Sequence, residues 1–113
     1  MKPVSIDNTE HFVWGEKCDG WHLVKSPALS VIQERVPCSC YEVRHLHQKS
    51  EQFFYVLSGI ATIEVDGVVY MLTDGQGLHV PANVPHQLKN DGHEDLVFIV
   101  TSTPPSHGDR VEQ

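Results

Sequence analysis

The chain has 113 residues, with 8 basic and 15 acidic side chains and a formal net charge of −7. That length supports one domain around one core, and no basic stripe is present to serve a nucleic-acid or anionic-membrane partner. No apolar run approaches the ~18–20 residues of a membrane span, and Met1-Lys2-Pro3-Val4 opens no signal-peptide core, so the expected location is cytoplasmic.

In chain order, residues 1–28 read as an N-terminal segment that packs on the rest, with Trp14 and Trp21 as natural plugs for one end. Helical periodicity is absent beyond them. Short runs rich in β-branched and aromatic residues are separated by Gly, Asp, Asn and Pro, the pattern of an all-β sandwich or barrel. Strands are predicted over Leu29–Val36, Cys40–Leu46, Gln52–Leu57, Ile60–Val65, Val68–Leu72, Gly77–Val80, His86–Lys89 and Leu96–Ser102. Asp66-Gly67 between two apolar runs predicts a hairpin turn with positive φ at both central residues. Residues 104–113, opening on Pro104-Pro105, read as an exposed tail. The barrel itself is expected over residues 29–103. Cys18, Cys38 and Cys40 read as reduced thiols, because Cys38 and Cys40 are too close on a strand to bridge.

Alternation on the second predicted strand places Tyr41, Val43, His45 and His47 on one face. Residues two apart on a strand lie roughly 6.5–7 Å apart and share a side, so a twisted strand can aim both imidazoles at one cation. Gln52 and His86 complete a candidate metal set with His45 and His47. Gln52 shares its face with Phe54 and Val56, while the opposite face of the same strand, Phe53, Tyr55 and Leu57, is equally apolar. A strand apolar on both sides is covered on both. A second subunit or the N-terminal segment could supply that cover, and a homodimer is the expected assembly.

These residues resemble the two sequence motifs of the cupin superfamily. The first, G-x5-H-x-H-x(3–4)-E-x6-G, is matched by Ser39, His45, His47, Gln52 and Gly59. The second, G-x5-P-x-G-x2-H-x3-N, is matched by Gly75, Pro81, Asn83, His86 and Asn90. The resemblance implies a double-stranded β-helix (jelly-roll) barrel of the small single-domain type and one divalent transition metal, with manganese, nickel or iron preferred over zinc. Ser39 and Asn83 stand where the motifs carry glycine, and Asn tolerates positive φ best among non-glycine residues. The usual glutamate ligand is replaced. Glu51 satisfies a three-residue gap from His47, whereas counting back from Gly59 selects Gln52, as in some small cupins that act on uronates or other sugars.

Three imidazoles and an amide oxygen would leave a divalent ion its full charge, favouring an anionic oxygenated substrate such as a sugar acid or keto acid. The expected chemistry is an isomerase or lyase reaction. An iron-dependent dioxygenase and a non-catalytic binder of a small ligand are the alternatives. Val43, Phe54, Val56 and Leu88 are expected to wall the substrate pocket, with Gln33 and Arg35 as further contacts. His79 and Tyr41 are the candidate acid–base residues.

Overall fold

The computed structural model describes residues 1–113, and these form eleven β-strands. They are β1 (His11–Trp14), β2 (Cys18–Lys25), β3 (Ser30–Val36), β4 (His45–His47), β5 (Glu51–Ser58) and β6 (Ala61–Val65), followed by β7 (Val68–Leu72), β8 (Gly77–Val80), β9 (His86–Lys89), β10 (Leu96–Thr103) and β11 (Arg110–Glu112). Two antiparallel sheets face each other, one in the order β1-β2-β3-β10-β5-β8 and the other β11-β4-β9-β6-β7. Strands adjacent in space but distant in sequence, such as β3 with β10 and β4 with β9, make this the expected jelly-roll barrel.

The core follows from strict alternation. Along β5, Gln52, Phe54 and Val56 are buried while Glu51, Phe53, Tyr55 and Leu57 are exposed. Along β10, Leu96, Phe98, Val100 and Ser102 point inward, opposite Val56, Phe54 and Gln52 of β5. Ile63 and Leu88 pair across β6 and β9 to close the other wall. Removing such side chains from water is the main favourable term in folding.

The turns obey backbone sterics. Asp66 and Gly67 have φ of 49° and 90°, as the hairpin between β6 and β7 requires. Ser39 and Asn83, the two residues replacing motif glycines, keep the left-handed backbone with φ of 68° and 63°. The second of these turns is tied to the site, since the Asn83 amide donates to the His47 carbonyl at 2.7 Å.

Two regions differ from the sequence reading. Residues 1–28 contain a hairpin, β1–β2, that extends the first sheet by pairing with β3. Trp14 faces the core, whereas Trp21 lies on the outer surface with its ring 5.2 Å from that of His11. The stretch expected as a tail contains β11, which is exposed yet pairs with β4 through Arg110–His47, Val111–Leu46 and Glu112–His45. Its three residues, two of them charged, are too few to display a periodic apolar pattern.

Candidate metal centre

His45 and His47 project from β4 and His86 from β9, with His45 directly opposite His86 across the ladder. All three side chains are buried, and one ring nitrogen from each lies within 4.8 Å of the others. Two of the rings have fixed tautomers. Nδ1 of His45 donates to the Val43 carbonyl at 2.6 Å, and Nδ1 of His86 donates to the Val84 carbonyl at 3.0 Å. Each bond leaves Nε2 unprotonated and free to ligate, the usual outer support of a metal-binding histidine. Burial holds all three imidazoles below their ordinary range, that of His45 at about 4. The rings are therefore neutral at neutral pH, the form in which they bind metal.

Gln52 reaches the interior from the opposite sheet. Its Nε2 donates to the Ser102 hydroxyl at 3.0 Å, and its Oε1 is buried without a partner. Nε2 of His86 is likewise buried and unpartnered. Orphaned buried acceptors are costly unless something occupies the space between them. A cation fits this donor set, and three histidines from two strands could hold it. Ser102, which sequence reasoning did not single out, orients the Gln52 amide. Its signal was its place on the inward face of β10.

Glu51, the rival in the register count, lies on the outer face and pairs with His79 at 2.9 Å. His79 itself is therefore not an interior residue. It sits opposite Phe53 on the outer face, while its neighbour Val80 faces in opposite Gln52. Gln33 and Arg35 also point outward, opposite Ile99 and Val97 of β10, and Arg35 is engaged by Asp19 and Asp95. Phe54, Val56 and Leu88 are buried, with the Phe54 ring 6.1 Å from that of His86. Val43 is half exposed at the rim.

Tyr41 is 63% exposed and faces away from the histidines. Its position follows from a bulge. Between the Tyr41–Lys89 bridge and the His45–His86 pair, the first strand uses one more residue than the second. The extra residue reverses the alternation, so that Glu42 turns inward where Tyr41 and Val43 were expected. Its Oε1 accepts from the Leu88 amide at 3.1 Å.

The C-terminal strand runs alongside the histidine strand. Arg110 and Glu112 stand opposite His47 and His45 and so share their face. With Trp14, Tyr41, Glu42 and Val43 they line a recess of about 330 Å³. The Arg110 charge opposes protonation of all three imidazoles. Asp109, next to it, accepts from the amides of Gln48, Lys49 and Ser50 at 3.2, 2.9 and 2.8 Å. This clamp fixes the turn that leads from His47 to Gln52.

The family model of the cupin domain matches residues 33–102, and the chain belongs to that family. An uncharacterized protein of Methanocaldococcus jannaschii, MJ1618, is 28% identical over 89 residues, 78% of this chain and 71% of that protein. Other curated relatives are longer, and the chain spans 41% or less of each. Among solved structures, KdgF from Halomonas sp. superposes with a TM-score of 0.81 at 18% identity, covering 88% of this chain and 91% of that one. A putative sugar phosphate isomerase from Acidithiobacillus ferrooxidans has a TM-score of 0.73 at 26% identity, covering 85% of this chain and 67% of that one.

Proposed function

We propose that this cupin is a metal-dependent isomerase or lyase acting on a small anionic, oxygen-rich substrate of the sugar-acid, sugar-phosphate or keto-acid kind. The supporting observation is a buried cluster of three neutral histidines, with two buried acceptors, His86 Nε2 and Gln52 Oε1, left without a partner in the barrel interior. His45, His47, His86 and Gln52 would hold one divalent transition metal, with manganese, nickel or iron ahead of zinc. When bound, that ion would act as a Lewis acid that polarises a substrate oxygen. The four neutral ligands leave its double charge uncancelled, and Arg110, opposite His47, adds a further positive charge nearby, so an anion is the favoured guest. Phe54 and the surrounding core exclude water and strengthen the electrostatics of the site. The likeness to a putative sugar phosphate isomerase supports the substrate class.

Elemental analysis of purified variants tests the ligand set. Gln52→Ala is expected to lower metal content several-fold, while Glu51→Ala retains the wild-type content because its side chain faces outward. The reverse result would remove Gln52 from the centre.

We also propose a homodimer. Phe53, Tyr55 and Leu57 are 44%, 38% and 40% exposed on one face of β5, and the Phe53 and Tyr55 rings stack at 6.3 Å. Sedimentation velocity should show a dimer that Phe53→Glu converts to monomer. A wild-type monomer would contradict this assembly.

A further inference from the structure

We propose that Glu42 is the proton-transfer residue of this centre, presenting its carboxyl from the inward face beside Leu88. The inference rests on the isomerase or lyase reading and supplies the acid–base group that neither His79 nor Tyr41 provides.

Three observations place it. Glu42 lines the recess together with Arg110 and Glu112, which share the face of the histidines. It also stands beside Leu88 as His45 stands beside His86. The Glu42 amide donates to the Leu88 carbonyl at 3.1 Å, and the Leu88 amide returns a bond to Glu42 Oε1 at 3.1 Å. Leu88 is two residues beyond His86, so the backbone that holds the carboxyl lies about one strand repeat, roughly 6.5–7 Å, along β9 from His86. Finally, the Leu88 bond anchors one carboxyl oxygen and leaves Oε2 without a protein partner. An anchored side chain with one free oxygen is preorganised for proton transfer.

The groups facing Glu42 set its titration. Glu34 from β3 points inward opposite Phe98 and is near enough for the Glu42 charge to act on it. The buried Trp14 indole N–H lies beside Glu34 without a well-formed hydrogen bond. Cys18 of β2 adjoins both Glu34 and Cys40. Arg110 of β11 approaches Glu42 from the rim, with Glu112 on the same strand. Burial dominates and pushes Glu42 up to about 7, while the Leu88 amide and Arg110 pull it down. A group poised near neutrality can both accept and return a proton.

In the step itself, the Glu42 carboxylate takes a proton from a carbon next to a substrate carbonyl. The C–H electron pair becomes a carbon–carbon double bond, and the carbonyl π pair moves onto its oxygen. Where the attacked carbon bears a hydroxyl, the product is an enediolate: the hydroxyl proton passes to the former carbonyl oxygen, the freed oxygen pair forms the new carbon–oxygen double bond, and the carbon–carbon π pair takes the proton back from Glu42 at the former carbonyl carbon. No oxidant or reductant enters.

The test uses the full chain loaded with manganese, with pyruvate and dihydroxyacetone as probes in deuterated water. Mass spectrometry reads deuterium uptake. Glu42→Gln is expected to slow uptake by ~100-fold or more with metal content unchanged, and Arg110→Gln to move the acidic limb of the pH profile upward. Infrared titration of the metal-free protein should show a carboxyl ionising near neutrality that Glu42→Gln removes. Uptake in Glu42→Gln within a few-fold of wild type, no uptake in metal-loaded wild type, or an unaltered carboxyl titration would each overturn the proposal. A wild type that retains no metal would instead strike the proposed function, leaving the infrared result to decide the protonation of Glu42.

Discussion

His86→Ala is expected to abolish stoichiometric metal binding while the barrel stays folded. His86 supplies the one imidazole from β9, and its Nε2 is among the buried atoms left without a protein partner. Removing it leaves only the β4 pair, His45 and His47, and takes away the centre's closure across the two strands. The β-ladder is unaffected, because the backbone of residue 86 pairs with Val65 and His45 whatever the side chain. Apolar packing around Ile63, Leu88 and Phe98 also remains. The truncation does open a cavity beside Phe54, a cost that is partly offset by removing an orphaned polar atom. Elemental analysis should give metal near zero, with circular dichroism and a cooperative urea transition like those of the metal-free wild type. Full occupancy in this variant would exclude the three-histidine centre.

The second large effect is on stability against pH in the metal-free protein. Glu34 is pushed up to about 8 and Glu42 to about 7, each chiefly by burial, against an ordinary 4.5. A folded-state value above the unfolded one means that the native protein holds protons the unfolded chain has released. The resulting stabilisation is complete below pH 4.5 and is lost as pH rises through 7 and 8. The buried histidines act in the opposite sense. Burial holds their folded values below 6.5, that of His45 at about 4, so their contribution is present above pH 6.5 and declines as pH falls below it. The two trends offset each other between pH 4.5 and 6.5, leaving only the glutamates to act above. Unfolding free energy should therefore drop on the order of 2 kcal/mol between pH 6.5 and 8. Urea denaturation at the two values measures this, and Glu34→Gln should remove most of the difference. A profile that rises over that interval would show the two carboxyls to be ionised in the native barrel.

Much of this architecture was legible because its signals are local. The strands β5 to β10 alternate strictly or sit between turn residues, and Asp66-Gly67 and Asn83 state their backbone geometry in their chemistry. The histidines were found through spacing. What escaped was set by long-range events. One additional residue between Tyr41 and His45 exchanged inside for outside, hiding Glu42 and promoting Tyr41 in its place. His79 illustrates a related failure, since its nearness in sequence to the second motif says nothing about parity on β8. Glu34 was passed over while its neighbours Gln33 and Arg35 were chosen, because β3 offers no strong alternation and only pairing with β10 reveals which side faces Phe98. Arg110 and Asp109 lay in a stretch whose pairing partner is more than sixty residues away.

That last pairing separates two groups of residues around the centre. None of the three histidines, nor Gln52, lies on β11, whereas Arg110 and the neighbouring Asp109 clamp come with it. Pairing of β11 seats the Arg110 guanidinium opposite His47 and, through Asp109, pins the turn between His47 and Gln52. A chain cut before β11 would therefore keep the donor side chains while losing both the neighbouring guanidinium and the brace on their connecting turn.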